Sequence, residues 1–471
     1  MRKLIVLIAA AVLMSCSGKT AQQMKEDALP GTIEHPKLDL KKLPNITQPD
    51  WTKNAVIYEV NIRQHSVEGT FKKVTEDLPR IKSLGVDVIW LMPIQPIGVK
   101  NRKGSLGSYY SIKDYKGVNP EFGTLEDVKA LVKKAHELKM KVILDWVANH
   151  TAWDNNWVKE DINRYTPDSL GHRPSVPKGT DWDDTADLDY TKPSTRAAMT
   201  DAMLYWLKTA DFDGFRCDVA GMIPLDFWVS VRPKLEAVKP VFMLAEWGEP
   251  QMHKAFNMTY AWDFLHVMNA IAKGEKKPAE VENYLHKRDS LFKKQDLLMY
   301  FITNHDENSW NKTEFQRYGK NVKNFATLAY TLDGMPLLYS GQEVGNTKEL
   351  KFFEKDSIDW KGDKNNLQGF YKQLINVYKT QPALWTGKDK APVQFIKTDN
   401  QYVLIYRRVP KTGKTVNVII NFGGNSYTIP QEVLLQINPL YATNPITTDL
   451  MGQILSSNNQ YIVPPNEMRI F

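Results

Sequence analysis

Three acidic residues each close an apolar run: Asp218 in Gly-Phe-Arg-Cys-Asp, Glu246 in Phe-Met-Leu-Ala-Glu-Trp, and Asp306 in Phe-Ile-Thr-Asn-His-Asp. A carboxyl group at the C-terminal end of a buried strand is held rigidly and faces a pocket. One ionised carboxylate and one protonated carboxyl, held together, can attack a carbon and protonate a leaving oxygen, which is what breaking a glycosidic bond requires. Arg216 lies two residues before Asp218, so alternation along an extended chain puts both on one face and Cys217 on the other. A fixed guanidinium there would favour the ionised form of Asp218. Glu246 would have to begin protonated, its pKa raised by neighbours and partial burial. Cys217, on the opposite face, reads as packed and inert.

Such residues need a scaffold that brings several strand ends to one rim. From Trp51 to about Thr380, short apolar runs alternate with helix-like segments. Strands are expected over Ala55–Val60, Val86–Leu91, Lys141–Val147, Phe212–Cys217, Val241–Leu244, Thr259–Phe264, Leu298–Ile302 and Pro336–Tyr339. Helical spacing runs over Phe71–Ser83, Leu125–Leu138, Thr195–Thr209, Leu225–Val238, Asn321–Thr331 and Phe370–Tyr378. This alternation is the pattern of an α/β fold of the (β/α)8 TIM-barrel type, whose active site lies at the strand C-termini. The stretch 149–193 is polar, rich in Asp and Pro and without periodicity, and reads as a small insertion after the third strand. After about Pro392 the chain is β-rich with turn signals such as Gly423-Gly424-Asn425, which points to a C-terminal antiparallel β-sandwich. The expected divisions are a barrel over 51–390, with 149–193 inserted, and a β-domain over 391–471.

The 471 residues suit a large barrel with a further domain. Net charge is +7, from 61 basic and 54 acidic residues, without a strong basic block or a nucleic-acid motif, so no nucleic-acid partner is expected. At the N-terminus, Arg2 and Lys3 precede the apolar run Leu4–Met14, the layout of a secretory signal. Leu13-Met14-Ser15-Cys16 resembles a bacterial lipobox, which makes 1–16 a signal peptide, Cys16 the lipidated residue and 17–50 a polar tether. The protein is therefore expected to be exported and anchored by lipid to the cell envelope, at the outer membrane on its periplasmic or surface face. With Cys16 lipidated, Cys217 has no partner for an intrachain disulfide.

Asp145-Trp-Val-Ala-Asn149-His150, Gly214 to Asp218, Ala245-Glu246-Trp247 and Asn304-His305-Asp306 end the third, fourth, fifth and seventh strands. In this order they resemble the α-amylase family, glycoside hydrolase family 13, over about Trp51 to the C-terminus. Further segments agree: Gly85 to Pro93, Ala186-Asp187-Leu188-Asp189, and Gly334 to Glu343. Carried over by position, the resemblance implies that Asp218 is the nucleophile, Glu246 the general acid/base and Asp306 the transition-state stabiliser. It implies sugar contacts for His150 and His305, stacking for Tyr110, and substrate-site positions for Arg216 and Asp145, the latter as a partner orienting Arg216.

One stretch departs from the family pattern. Where many α-amylases carry Lys-His just past the nucleophile, this chain has Val219-Ala220-Gly221-Met222. That puts the family's calcium site and a cleft for long glucans in doubt. Asn149 remains a possible calcium ligand, and the acidic run Asp181, Asp183, Asp184, Asp187 and Asp189 could in principle bind a hard cation, though without EF-hand spacing. No cofactor is expected to be required, with a structural calcium the one possibility. Trp153, Trp157 and Trp182 are candidate sugar platforms. The expected activity is retaining hydrolysis of α-1,4-linked glucose oligomers. Alternatives are a glucanotransferase, a relative directed at α-1,6 bonds, sucrose or trehalose, or a non-catalytic glucan-binding protein. Endo or exo action and oligomeric state are left open.

Overall fold

A computed structural model describes residues 39, 43, 46–363, 366–437, 448–453, 456–457 and 460–471. Cys16 and the expected signal peptide lie outside the described residues. In chain order the strands of the first part are β1 (Ile57–Val60), β2 (Val88–Leu91), β3 (Lys141–Trp146), β4 (His150–Ala152), β5 (Thr185–Asp187), β6 (Gly214–Cys217), β7 (Phe242–Ala245), β8 (Met258–Tyr260), β9 (Leu297–Tyr300) and β10 (Met335–Tyr339). Eight of them close a parallel barrel in the order β1-β10-β9-β8-β7-β6-β3-β2. A parallel strand in a barrel is covered on both faces, which is why these segments read as continuous apolar runs. All four residues of β1, β2, β6, β7 and β9 are buried.

Surrounding helices present apolar stripes to this cylinder. In Leu125–Glu137 the buried positions are Val128, Leu131, Val132 and Ala135, the spacing of one helical face. Thr124 and Asp127 cap its start reciprocally: the Asp127 N–H donates to Thr124 Oγ1 and the Thr124 N–H to Asp127 Oδ2. Gly214 opens β6 with φ +152°, and a Cβ there would lie 1.8 Å from the Phe242 carbonyl oxygen. Only glycine lets β6 approach β7 this closely, and these are the strands that lead into Asp218 and Glu246.

The expected strand over Thr259–Phe264 is corrected. β8 stops at Tyr260 and Trp262–Ala272 is a helix, followed by a second helix at Glu280–Leu291. Trp262–Ala272 is apolar enough that its short visible run does not distinguish buried helix from buried strand. The insertion is not structureless either: β4 and β5 pair antiparallel, with His150 opposite Asp187.

The C-terminal part comprises β11 (Val393–Ile396), β12 (Val403–Arg408), β13 (Val416–Asn421), β14 (Tyr427–Thr428), β15 (Ser456–Ser457), β16 (Gln460–Val463) and β17 (Met468–Ile470). A four-stranded antiparallel sheet, β11-β12-β13-β17, faces a three-stranded one, β14-β16-β15. Alternation serves two cores: Val403, Ile405 and Ile419 join a small cluster with Tyr427 and Val463, while Leu404, Tyr406, Val418 and Ile420 join the barrel's core. Arg408 fastens the two parts, donating to the carbonyls of Thr331 at 3.0 Å, Ala391 at 3.1 Å and Trp385 at 3.2 Å.

Candidate active site

Parallel register explains how the charged residues meet. Asp145 on β3 pairs with Arg216 on β6, and Cys217 pairs with Ala245, so Asp218 and Glu246 leave adjacent strands at the same level. Side chains at paired positions point the same way. Arg216 Nη1 lies 2.9 Å from Asp145 Oδ1 and 3.1 Å from Asp218 Oδ1, and Nη2 lies 3.0 Å from Glu246 Oε2. One guanidinium thus binds three carboxyl groups. Arg216 Nε donates to the Tyr260 hydroxyl at 3.2 Å, and the Trp90 ring lies against the guanidinium at 5.0 Å.

Asp145 is fully buried and both its oxygens are engaged, Oδ1 by Arg216 and Oδ2 by Trp90 Nε1 and the Tyr110 hydroxyl, each at 3.1 Å. Asp145 and Arg216, both 0% exposed, therefore orient the site from beneath and do not form its surface. Asp218 and Glu246 retain slight exposure, and Asp306 is about one-third exposed at its side chain. Asp306 enters on the short helix His305–Trp310, capped by Asn304, whose side chain accepts the Glu307 N–H.

His305 joins the two halves of the site. Its Nδ1 lies 2.5 Å from Glu59 Oε1, its Nε2 2.8 Å from the Tyr110 hydroxyl and 3.4 Å from Asp306 Oδ1. Burial alone would lower its pKa, but the Asp306 and Glu59 carboxylates raise it to about 9. As an imidazolium it donates from both nitrogens, so the Tyr110 hydroxyl accepts from His305 and donates onward to Asp145. His150 behaves oppositely: burial pushes it down to about 3, and it stays neutral beside the Trp182 ring, 5.3 Å away.

Burial acts on the Asp218 and Glu246 carboxyl groups alongside Arg216. Burial pushes Asp218 well above the usual carboxylate range, the Glu246 charge adds to this, and Arg216 offsets it only in part. The reason is geometric, because Arg216 is shared among three acids. Glu246 is raised as well, by burial and by Asp306 against the pull of Arg216. Two adjacent buried carboxyls that share one cation titrate as a pair.

Glu59, Trp90 and Tyr260 are site residues that sequence reasoning missed. Glu59 was visible as a lone acid inside the apolar run Ala55–Val60. Of the three candidate platforms, Trp182 reaches the site through His150. Trp157 stacks on Tyr115 at 4.6 Å, and Trp153 Nε1 donates to the Asp183 carbonyl. Cys217 is buried and free, as expected from its face.

At the candidate calcium positions, side chains are engaged with protein partners. Lys103 Nζ sits in the acidic run, 2.8 Å from Asp183 Oδ1 and donating to the Asp181 carbonyl at 2.7 Å. Asn149 turns its amide nitrogen to His150 Nδ1 at 3.3 Å. Among the described residues no three His, Cys, Asp or Glu side chains group to hold a metal.

Past Asp218, Val219 adopts φ +36° and its N–H donates to Glu246 Oε2 at 2.8 Å. Gly221 then lies under the Trp247 indole, where a Cβ would come within 2.0 Å of the ring.

A model of the alpha-amylase catalytic domain matches residues 42–175 and 179–409. The crystal structure of an alpha-amylase from Lactobacillus plantarum superposes with a TM-score of 0.77 at 30% identity, covering 89% of this chain and 98% of that one. That of a noncanonic maltogenic alpha-amylase, AmyB from Thermotoga neapolitana, gives 0.74 at 28% identity, covering 89% and 96%. Alpha-amylase MalA of Haloarcula japonica is 26% identical over 396 residues, which are 81% of this chain and 57% of that protein. The match thus spans little more than half of that relative's length.

Proposed function

The chain belongs to the alpha-amylase catalytic-domain family, and from that premise we propose that it is a retaining α-glycoside hydrolase acting on α-1,4-linked glucose oligomers through a covalent glycosyl-enzyme. The single observation that carries this reading is the sharing of Arg216 by Asp218 and Glu246, at 3.1 and 3.0 Å. A carboxyl pair on one guanidinium is held close, which supports the retaining arrangement, with its separation of about 5–5.5 Å.

In this reading Asp218 attacks the anomeric carbon and Glu246 protonates the departing oxygen. Glu246 Oε2 accepts from the Val219 N–H and lies 3.0 Å from Arg216 Nη2, which leaves Oε1 to carry the proton. Substrate entry brings sugar hydroxyls and excludes water; in the productive complex Glu246 carries the proton and Asp218 is ionised. Water then attacks the glycosyl-enzyme, with Glu246 now the base. Asp306 supplies negative charge beside the developing oxocarbenium ion. Tyr110, His150 and His305 hold the sugar at that point, and Asp145 fixes Arg216.

The test is the anomeric form of the first product, followed by NMR before mutarotation. Retention gives the α-anomer from an α-glucan; a β-anomer overturns the mechanism.

We also propose that the protein is exported and held at the cell envelope by lipid on Cys16, supported by Arg2, Lys3, the apolar run to Met14 and the Leu-Met-Ser-Cys sequence. Among the described residues no helix is long and apolar enough to cross a membrane. Cys16→Ser should release the protein from the membrane fraction; an unchanged distribution would exclude the anchor.

A further inference from the structure

We infer that the mouth of this site is walled off on the side away from Glu246, so that the protein removes short units from non-reducing chain ends in preference to cutting internally. The inference rests on the roles proposed above for Asp218 and Glu246.

Strand order gives the direction. In the closed ring, β7, which leads into Glu246, lies diametrically opposite β1. A leaving sugar departs on the side of the acid that protonates its oxygen, so the retained sugars extend over β1 and its neighbours β2 and β10. The connections on the two halves differ greatly. After β6 and β7 they are short, 218–224 to the next helix and 246–257 to the next strand. After β2 and β10, the neighbours of β1, they are long, covering 92–124 and 340–366, and the insertion after β3, midway between β7 and β1 in the ring, covers 147–192.

The long connections are tied to one another end to end. On one flank, the strap after β2 meets the insertion: the Val99 N–H donates to Asp154 at 3.1 Å, and Lys103 bonds Asp183 and the Asp181 carbonyl. On the other, the same strap meets the connection after β10: the Ser105 N–H donates to Glu354 at 2.9 Å, and the Leu106 N–H to the Phe353 carbonyl at 3.0 Å. That connection is tied in turn to the helix bearing Asp306, where the Leu350 N–H donates to Asn308 at 2.9 Å. Gly104 sits so close to Phe353 that a Cβ would come within 2.5 Å of its side chain.

The inner side of this horseshoe is aromatic. Tyr110 stacks on Phe352 with centroids 6.3 Å apart and an 11° interplanar angle, and Phe352 lies 5.4 Å from Trp310, which is 51% exposed. Such faces suit the apolar faces of glucose rings. A continuous wall lined this way accepts the end of a chain and has no exit for one that continues.

The experiment compares two activated maltoheptaosides, one free and one bearing a bulky acetal on its non-reducing-end glucose. The full protein should hydrolyse the capped substrate at least about 100-fold more slowly than the free one. The double substitution Lys103→Ala and Glu354→Ala, which removes a side-chain tie at each end of the strap, should recover at least about 10-fold of the capped rate and leave the free rate within about twofold. Equal wild-type rates on both substrates overturn the wall. A capped rate that is low in wild type and unchanged in the double variant overturns the strap as its cause. No turnover of either substrate overturns the hydrolase reading itself, and this inference with it.

Discussion

The backbone N–H of Val219 donates to Glu246 Oε2 at 2.8 Å, so the turn that follows Asp218 holds the carboxyl group at the end of the neighbouring strand. Val219 accepts a strained left-handed conformation, φ +36°, to do so. The contact leaves Glu246 Oε1 as the position for a transferable proton. Glu246→Gln should therefore slow hydrolysis of natural glucans by about 100- to 10,000-fold, and spare an aryl glucoside whose leaving group needs no protonation. Comparing kcat on the two substrates checks this. Equal losses would remove Glu246 from the role of acid.

Asp218→Asn should abolish turnover and also stabilise the protein. The folded pKa of Asp218 is raised, so its contribution to stability is full below the unfolded carboxylate pKa and is lost as pH rises through the folded value. An amide has no such loss. Near neutral pH the variant's Tm should rise by about 2–4 °C, and the gain should vanish in acid. A lower Tm at neutral pH would mean that the pull of Arg216 on Asp218 outweighs burial.

His305 gives the opposite end of the pH scale. Its folded pKa, about 9, exceeds the ordinary 6.5, so its contribution is present below about pH 6.5 and is lost as pH rises through about 9. Glu59→Gln removes one of the two carboxylates that raise it. The alkaline fall in Tm should then begin closer to neutrality, as a series of melts across pH would show. An unshifted alkaline limb would exclude Glu59 as the group that keeps His305 charged.

Gly221→Ala puts a methyl group where only 2.0 Å separates it from the Trp247 ring. Overpacking of this kind costs about 1–3 kcal/mol. Because Trp247 follows Glu246 on the leaving-group side, kcat/KM should fall more for maltooligosaccharides than for a short aryl glucoside. Equal falls would confine the effect to folding.

If Lys103 takes the place of a cation in the acidic run, chelation should leave Tm within about 1 °C. Lys103 occupies the acidic run where a cation would otherwise sit. A drop of several degrees with EDTA would contradict that reading of the site.

Much of this was legible in the chain because a barrel strand buried on both faces is an uninterrupted apolar run, and the acids at its end stand out. Asp218, Glu246 and Asp306 were visible for that reason, and Arg216 by its spacing. Glu59 stood out as a lone acid within β1, but nothing local marks that it faces His305, 246 residues away. The helix Trp262–Ala272 was read in part as strand because the run Thr259–Phe264 ends before His266 and Asn269, which with Asp263 mark its polar face. The strap was invisible for a different reason: its ties join Lys103 to Asp181 and Ser105 to Glu354, partners 78 and 249 residues apart that only the closed barrel brings together. Arg216 does favour the ionised form of Asp218, as its spacing suggested, but burial and the Glu246 charge, which spacing does not show, outweigh it.

The most direct measurement is to trap the intermediate with a slow fluorinated α-glucosyl fluoride, digest the protein and locate the added mass. The expected result is one glycosyl group on the peptide containing Asp218, absent in Asp218→Asn and released when an acceptor sugar is added. Stoichiometric label on another carboxylate, or steady turnover that never yields a labelled peptide together with a β-anomeric first product, would contradict a covalent mechanism through Asp218.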